Sequence, residues 1–177
     1  MRRPRSTSLQ KGPVNGCPQR VWRHGRKTAM AGWLEEIDRL RGEVASPSPA
    51  SGISAEALYE AVALARRAAS RLLTLEDWNG RLDCAGAALY LNLAEVELRE
   101  ALARIQWVAR PVRLAGLPAG EESGAVVQGV VALLGDVVAA LVAAVDDGGA
   151  LAGSLPAART IVDIDGARAA LRGEPLV

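Results

Sequence analysis

The chain has 177 residues, a formal net charge of +1 and 50% hydrophobic residues, which is material for one domain with a buried core. That apolar share is nearly all Ala, Leu and Val; Phe is absent and aromatics make up 3%, so the core reads as aliphatic and helical. One histidine and two cysteines exclude a disulfide framework, the usual zinc and di-iron ligand sets, and Ser-His-Asp or Cys-His catalysis.

The small net charge hides an asymmetry. Residues 1–29 carry Arg2, Arg3, Arg5, Lys11, Arg20, Arg23, Arg26 and Lys27 with no acid, whereas the remainder holds all 20 acids and 13 arginines. The first 28 residues are rich in Arg, Pro, Gly and Ser and poor in apolar groups, which predicts a disordered basic arm. The arm has no apolar run of about 7–15 residues before a cleavage site, so it does not read as a secretory signal. "MAGWLEEIDRLRGEV" would serve as a natural beginning, and Met30 is the expected start, with residues 1–29 then outside the native protein.

In chain order, a first helix is predicted over about 31–45, with Trp33, Ile37, Leu40 and Val44 as its apolar stripe, Leu34 widening it and Arg41 on its flank. "SPSPASG" (46–52) reads as a linker. Ser54 is a good N-cap for a second helix, with Glu56 at the positive end of its dipole and Ile53 and Leu58 at staple spacing. Leu58, Val62, Ala65, Ala69 and Leu72 are its expected buried face. Around 73–82, Thr74 followed by Glu76 and Asp77 signals a helix start, and Asn79-Gly80 signals a turn.

The third helix is expected to run to about Arg110. Leu82, Ala85, Leu89, Leu93 and Val96 form one apolar stripe, and Leu91, Leu98, Leu102 and Ile105 form another beside it. Glu95/Arg99 and Glu100/Arg104 stand four apart, acid first, as on a solvated face. Pro111 opens a Pro/Gly loop over 111–120. The fourth helix, 124–145, is apolar almost all round, with Val127, Val130, Leu134, Val137, Leu141 and Val145 facing the core and Gln128, Ala132, Asp136 and Ala140 as a weakly polar stripe. About 20 apolar residues can cross a bilayer. However, Asp136 is central, acids bracket the segment, and no Lys, Arg, Trp or Tyr anchors it. The expected reading is a core helix, with membrane association through 125–145 as the alternative.

"TIVDIDG" (160–166) ends in an Asp-x-Asp-Gly that resembles the nucleophile motif of haloacid-dehalogenase phosphatases, yet only eleven residues follow Gly166 and the lysine and later acids of that family are absent. The tail instead reads as a strand-like piece plus a last helical turn capped by Asp165, or as one helix. Asp146, Asp147, Asp163 and Asp165 lack the spacing of a calcium loop. No Gly-rich stretch has phosphate-loop spacing.

Trp78-Asn79-Gly80 is a W-x-G tripeptide between two helical segments and resembles the turn of the WXG superfamily, small helical hairpins of the type VII secretion pathway. The resemblance covers about residues 54–110 and implies a secretion-related partner. The chain departs from that pattern in "RLDC" after the glycine and in the absence of Tyr-x-x-x-Asp/Glu: Tyr90 has Ala94 four residues on.

These readings converge on an all-α protein, an up-and-down bundle of four to five helices spanning 30–177, with a disordered basic N-terminal arm over 1–29. The expected function is non-catalytic and cytoplasmic, through protein contacts: an oligomer, an adaptor or a secretion-related partner, with Trp78, Asn79 and Gly80 as a turn that could take part. No catalytic residue, cofactor or metal is assigned. Nucleic acid is a partner only through the arm (Arg2, Arg3, Arg5, Arg20, Arg23, Arg26, Lys27), which carries Trp22 and His24 among its charges.

Overall fold

A computed structural model describes residues 19–45, 55–75, 78, 82–104, 123–147 and 157–174. These form five helices: α1 (Gln19–Ala45), α2 (Ala55–Leu72), α3 (Cys84–Arg104), α4 (Ser123–Asp146) and α5 (Ala157–Arg172). Among the described residues there is no strand, and the all-α bundle expected from composition is what forms.

Neighbours around the bundle follow the order α1, α2, α3, α5, α4 and back to α1, with α2 also meeting α4 across the middle. α3 carries the two most extensive interfaces, with α2 on one side and α5 on the other. Contacts fix the directions. Tyr59 and Arg66 of α2 reach Glu95, and Tyr59 also meets Arg99, so α2 and α3 are antiparallel. Asp83, just before α3, donates its N–H to Ala170 near the end of α5 (3.2 Å), while Thr160 near the start of α5 bonds Glu97 far along α3. α1 and α4 instead run the same way, Gly129 lying against Leu34 and Ile37, and Asp136 against Arg41.

Alternation therefore holds within α1–α2–α3 and within α4–α5 but breaks between α3 and α4, which run in parallel with α5 between them. Residues 105–122 join opposite ends of the bundle. Eighteen residues can span about 60 Å, twice the ~31 Å rise of the 21-residue α3, so the connection has ample length.

The first two helices bury the expected stripes. Trp33, Ile37, Leu40 and Val44 are buried on α1, as are Leu58, Val62, Ala65, Ala69 and Leu72 on α2. α1 begins twelve residues before the predicted Ala31, so the helical backbone of 19–29 enters the stretch expected to be disordered and crosses Met30 without a break. Once nucleated, a helix extends at little cost through Arg, Lys and Ala, which have high helix propensity. Residues 1–18, with Arg2, Arg3 and Arg5, lie outside the described residues, as do Ser54, Asn79, Gly80 and Ile105.

Two expectations are corrected, Thr74 as a helix start and Asp165 as a cap. Thr74 does not start a helix: its hydroxyl donates to the Arg71 carbonyl (2.7 Å) and closes the last turn of α2. α3 is capped instead by Asp83, whose Oδ1 accepts the Gly86 N–H at 2.8 Å. A Cβ on Gly86 would meet that carboxylate, so the Asp83 side chain would have to shift to make room for one. Of the two readings of the tail, one helix is what forms: residues 160–166 all lie inside α5, and Asp165 pairs with Arg168 (2.7 Å) mid-helix rather than capping it. Alanines and arginines on both sides favour the helix. α5 ends at Gly173, whose φ of 70° lets its own N–H reach Ala170 and the Glu174 N–H reach Ala169, the double closure of a Schellman motif.

α4 is the one helix among the described residues long and apolar enough to cross a membrane, with a mean hydropathy of 2.2. Here it buries Val126, Val127, Val130, Leu133, Leu134, Val137 and Leu141 between α1, α2 and α5. Val145, expected inside, is 43% exposed because it falls in the last turn, past the neighbours. Asp136 is accounted for by Arg41 of α1, at 2.6 Å.

Helical glycines make a test of this packing. A Cβ on Gly42 meets nothing within 4 Å, whereas one on Gly129 would sit 3.2 and 3.3 Å from two Ile37 carbons. Gly42→Ala is expected to stabilise the fold by about 0.5–1 kcal/mol in urea unfolding, while Gly129→Ala, crowding Ile37, gives no gain.

Candidate functional site

Two acids on α3 organise the polar groups inside the bundle. Glu95 and Glu97 are two residues apart, about 200° around a helix, so one faces α2 and the other faces α5. The geometry follows from their spacing alone.

Glu95 is 4% exposed, although its i,i+4 pairing with Arg99 reads as a solvated face. The pair does form, at 2.6 Å, but α2 covers it. Tyr59 donates its hydroxyl to Glu95 at 3.0 Å, Arg66 donates its Nε to the other carboxylate oxygen, and Arg99 also donates to the Tyr59 hydroxyl while its guanidinium lies 5.8 Å from the ring centre. A buried carboxylate is tolerable only when its oxygens are satisfied, and three donors achieve that here. Both arginines keep one side in solvent, so the cluster is an inward acid held by two surface cations.

On the opposite side Glu97 accepts the Thr160 hydroxyl (2.7 Å) and pairs with Arg159 Nε (3.2 Å), both from α5. Asp163 lies one turn further along the same side of α5 and is buried. Its Oδ2 is shut off from solvent and has no hydrogen-bond partner. Burial first, and then the Glu97 charge, push its carboxyl above the usual aspartate range, with Arg159 opposing the shift. Beyond this cluster, Gly166 gives room to the Tyr90 ring, and Gly135 of α4 gives room to the Arg168 guanidinium.

Trp78 stands at the α2–α3 turn, half-buried, with its ring edge 3.8 Å from where a Gly124 Cβ would be. It closes the end of the bundle where α2 finishes and α3 and α4 start. Of the arm residues, Arg20, Arg23, Arg26 and Lys27 fall on the first turns of α1. Cys84 is buried, and desolvation together with the Asp83 charge pushes its thiol up, the opposite of what a reactive thiolate needs. Among the described residues no three His, Cys, Asp or Glu side chains gather to hold a metal ion.

The sequence pattern alone assigns Glu95 to a solvated face and singles out neither Glu97 nor Thr160. A signal for Glu95 does exist: Tyr59 and Arg66 are seven apart, hence on one side of α2, and both can donate.

Glu95 and Tyr59 should be energetically coupled. Tyr59→Phe and Glu95→Gln are each expected to cost about 1–2 kcal/mol in urea unfolding, and the double variant less than their sum by about 1 kcal/mol. Strict additivity would mean the hydrogen bond contributes nothing.

Compared with known protein families, curated proteins and solved structures, the chain shows no match to any of them, so its reading rests on the residues described above.

Proposed function

We propose that the protein works by protein contact, as a self-associating helical bundle that pairs through the outer face of α3. The observation that carries this is the placement of the first of the two predicted α3 stripes, Leu82, Ala85, Leu89, Leu93 and Val96. Of its members, Leu89 is 60% exposed and Val96 is 41% exposed, and Ala85 is exposed as well. The core side of α3 is the other predicted stripe, Leu91, Leu98 and Leu102, joined by Ala87, Ala94 and Ala101.

The outer residues Ala85, Leu89, Asn92, Val96, Arg99 and Ala103 are all exposed, and their spacing of four, three, four, three and four is that of a coiled-coil seam. Val162 of α5, 66% exposed, precedes Asp163 on the helix that flanks this face. Burying such side chains contributes about 25 cal/mol per Å² of apolar surface, which gives the face a reason to pair. A second copy of the chain is the occupant that the seam favours. In a parallel two-fold pairing Asn92 meets its own equivalent, the arrangement in which a polar seam residue fixes register. A secretion-related partner, as the resemblance at Trp78-Asn79-Gly80 implies, is the alternative occupant of the same face.

Light scattering coupled to size exclusion, over a concentration series, tests this reading. The expected result is a dimer that Leu89→Glu with Val96→Glu converts to a monomer of unchanged helicity. A wild-type monomer at every concentration would overturn self-association, and a stable complex with a different chain would replace the occupant.

A further inference from the structure

The interface between α5 and α3 holds one acid that its surroundings do not satisfy. At one end Asp83 bonds Ala170, further along Tyr90 lies on Gly166, and at the other end Thr160 and Arg159 hold Glu97. Between them Asp163 is 7% exposed with an orphaned Oδ2. The charged groups that face it are few. α3 presents Glu97, a like charge. On its own helix Arg159 is engaged with Glu97 and its side chain is 68% exposed, so its compensation is screened by water. From α4 comes Gly135, beneath Arg168, while Asp136 is turned to Arg41 of α1. Arg168 is paired with Asp165, not with Asp163, and its buried Nε makes no hydrogen bond to either.

A buried oxygen with no donor and a carboxylate across from it is a costly arrangement for an anion and a fitting one for an acid. We propose that Asp163 binds a proton at the α3–α5 interface and makes the docking of α5 onto α3 depend on pH. With the proton bound, the Asp163 hydroxyl donates to the Glu97 carboxylate and the orphan is satisfied. With the proton released, two carboxylates face one another out of water, and α5 is held less firmly. This proposal is independent of self-association through the outer face of α3, because Asp163 and Glu97 lie inside one copy.

The direction follows by linkage. An acid whose carboxyl is raised in the fold binds its proton more tightly folded than unfolded. Its stabilising contribution is complete below the unfolded value of about 3.9 and is lost as pH rises through the folded value. Asn at this position mimics the protonated form and carries no such loss.

The test is a carbon-13 carboxyl titration of Asp163 by NMR in the full chain, wild type and Glu97→Gln, beside thermal unfolding of wild type and Asp163→Asn across pH. The expected midpoint for Asp163 lies above the ordinary aspartate value and moves down in Glu97→Gln. Asp163→Asn is expected to gain on wild type in Tm as pH rises, reaching about 2–4 °C at neutral pH. Backbone exchange in 157–172, corrected for its intrinsic rate, should quicken with pH in wild type and not in Asp163→Asn. A midpoint at or below the ordinary value, or a Tm difference between the two proteins that is constant with pH, would overturn the proposal.

Discussion

The structure depends on how closely α3 can be approached from both sides. Its core face is built on Ala87, Ala94 and Ala101, seven apart, with Leu91, Leu98 and Leu102 beside them. α2 buries Ala57, Ala61, Ala65, Ala68 and Ala69, shared among its neighbours, and α5 buries Ala167 and Ala170. In a chain without phenylalanine, the core has to be filled by bringing backbones together rather than by large side chains. Leucines fill what the alanines leave, and among the described residues Trp33 and Tyr59 are the large rings buried with them. That close approach has an electrostatic consequence. Charges on the flanks of α3 are drawn out of water, so Glu95 needs Tyr59 and Arg66, Glu97 needs Thr160 and Arg159, and Asp163 is left short of a donor.

Much of this is legible where apolar and polar residues alternate cleanly. α1 and α2 have one apolar side each, and their stripes can be placed from spacing alone down to Val44 and Leu72. The same logic places α4 apart from Val145, while the role of Asp136 emerges only with Arg41, ninety-five residues away. α3 is legible as a helix but not in its rotation. Leu89, Leu93 and Val96 are as apolar as Leu91, Leu98 and Leu102, and what chooses between them is the alanine side, which carries little hydrophobic signal of its own. The acids are legible as charges but not as buried groups, because an i,i+4 pair looks the same whether or not another helix covers it. In α5 a local Asp-x-Asp-Gly pattern suggests a turn, yet packing against α3 and the closure at Gly173 carry the helix through it.

The same rotation links fold to function. By turning its alanines inward, α3 leaves Leu89 and Val96 outward on the helix that carries the two most extensive interfaces of the bundle. Surface leucines scattered singly need no explanation. A set at seam spacing with Asn92 near its centre is a different matter, and it is why contact with another helix is the reading favoured for this chain. α4, though the most apolar helix, spends its leucines on the interior; outside it shows alanines and Gln128, with Val142 and Val145 exposed in its last turns.

The central claim is that α3 is the helix on which the bundle is built, clamped by an acid on each flank. Residue-resolved amide hydrogen exchange tests it most directly. Protection along Leu91–Leu102 should be the highest in the chain and should be lost only with global unfolding, with α1 opening earlier. If α3 exchanged as readily as α1, or opened while α4 remained protected, α3 would not be the axis on which the bundle is built.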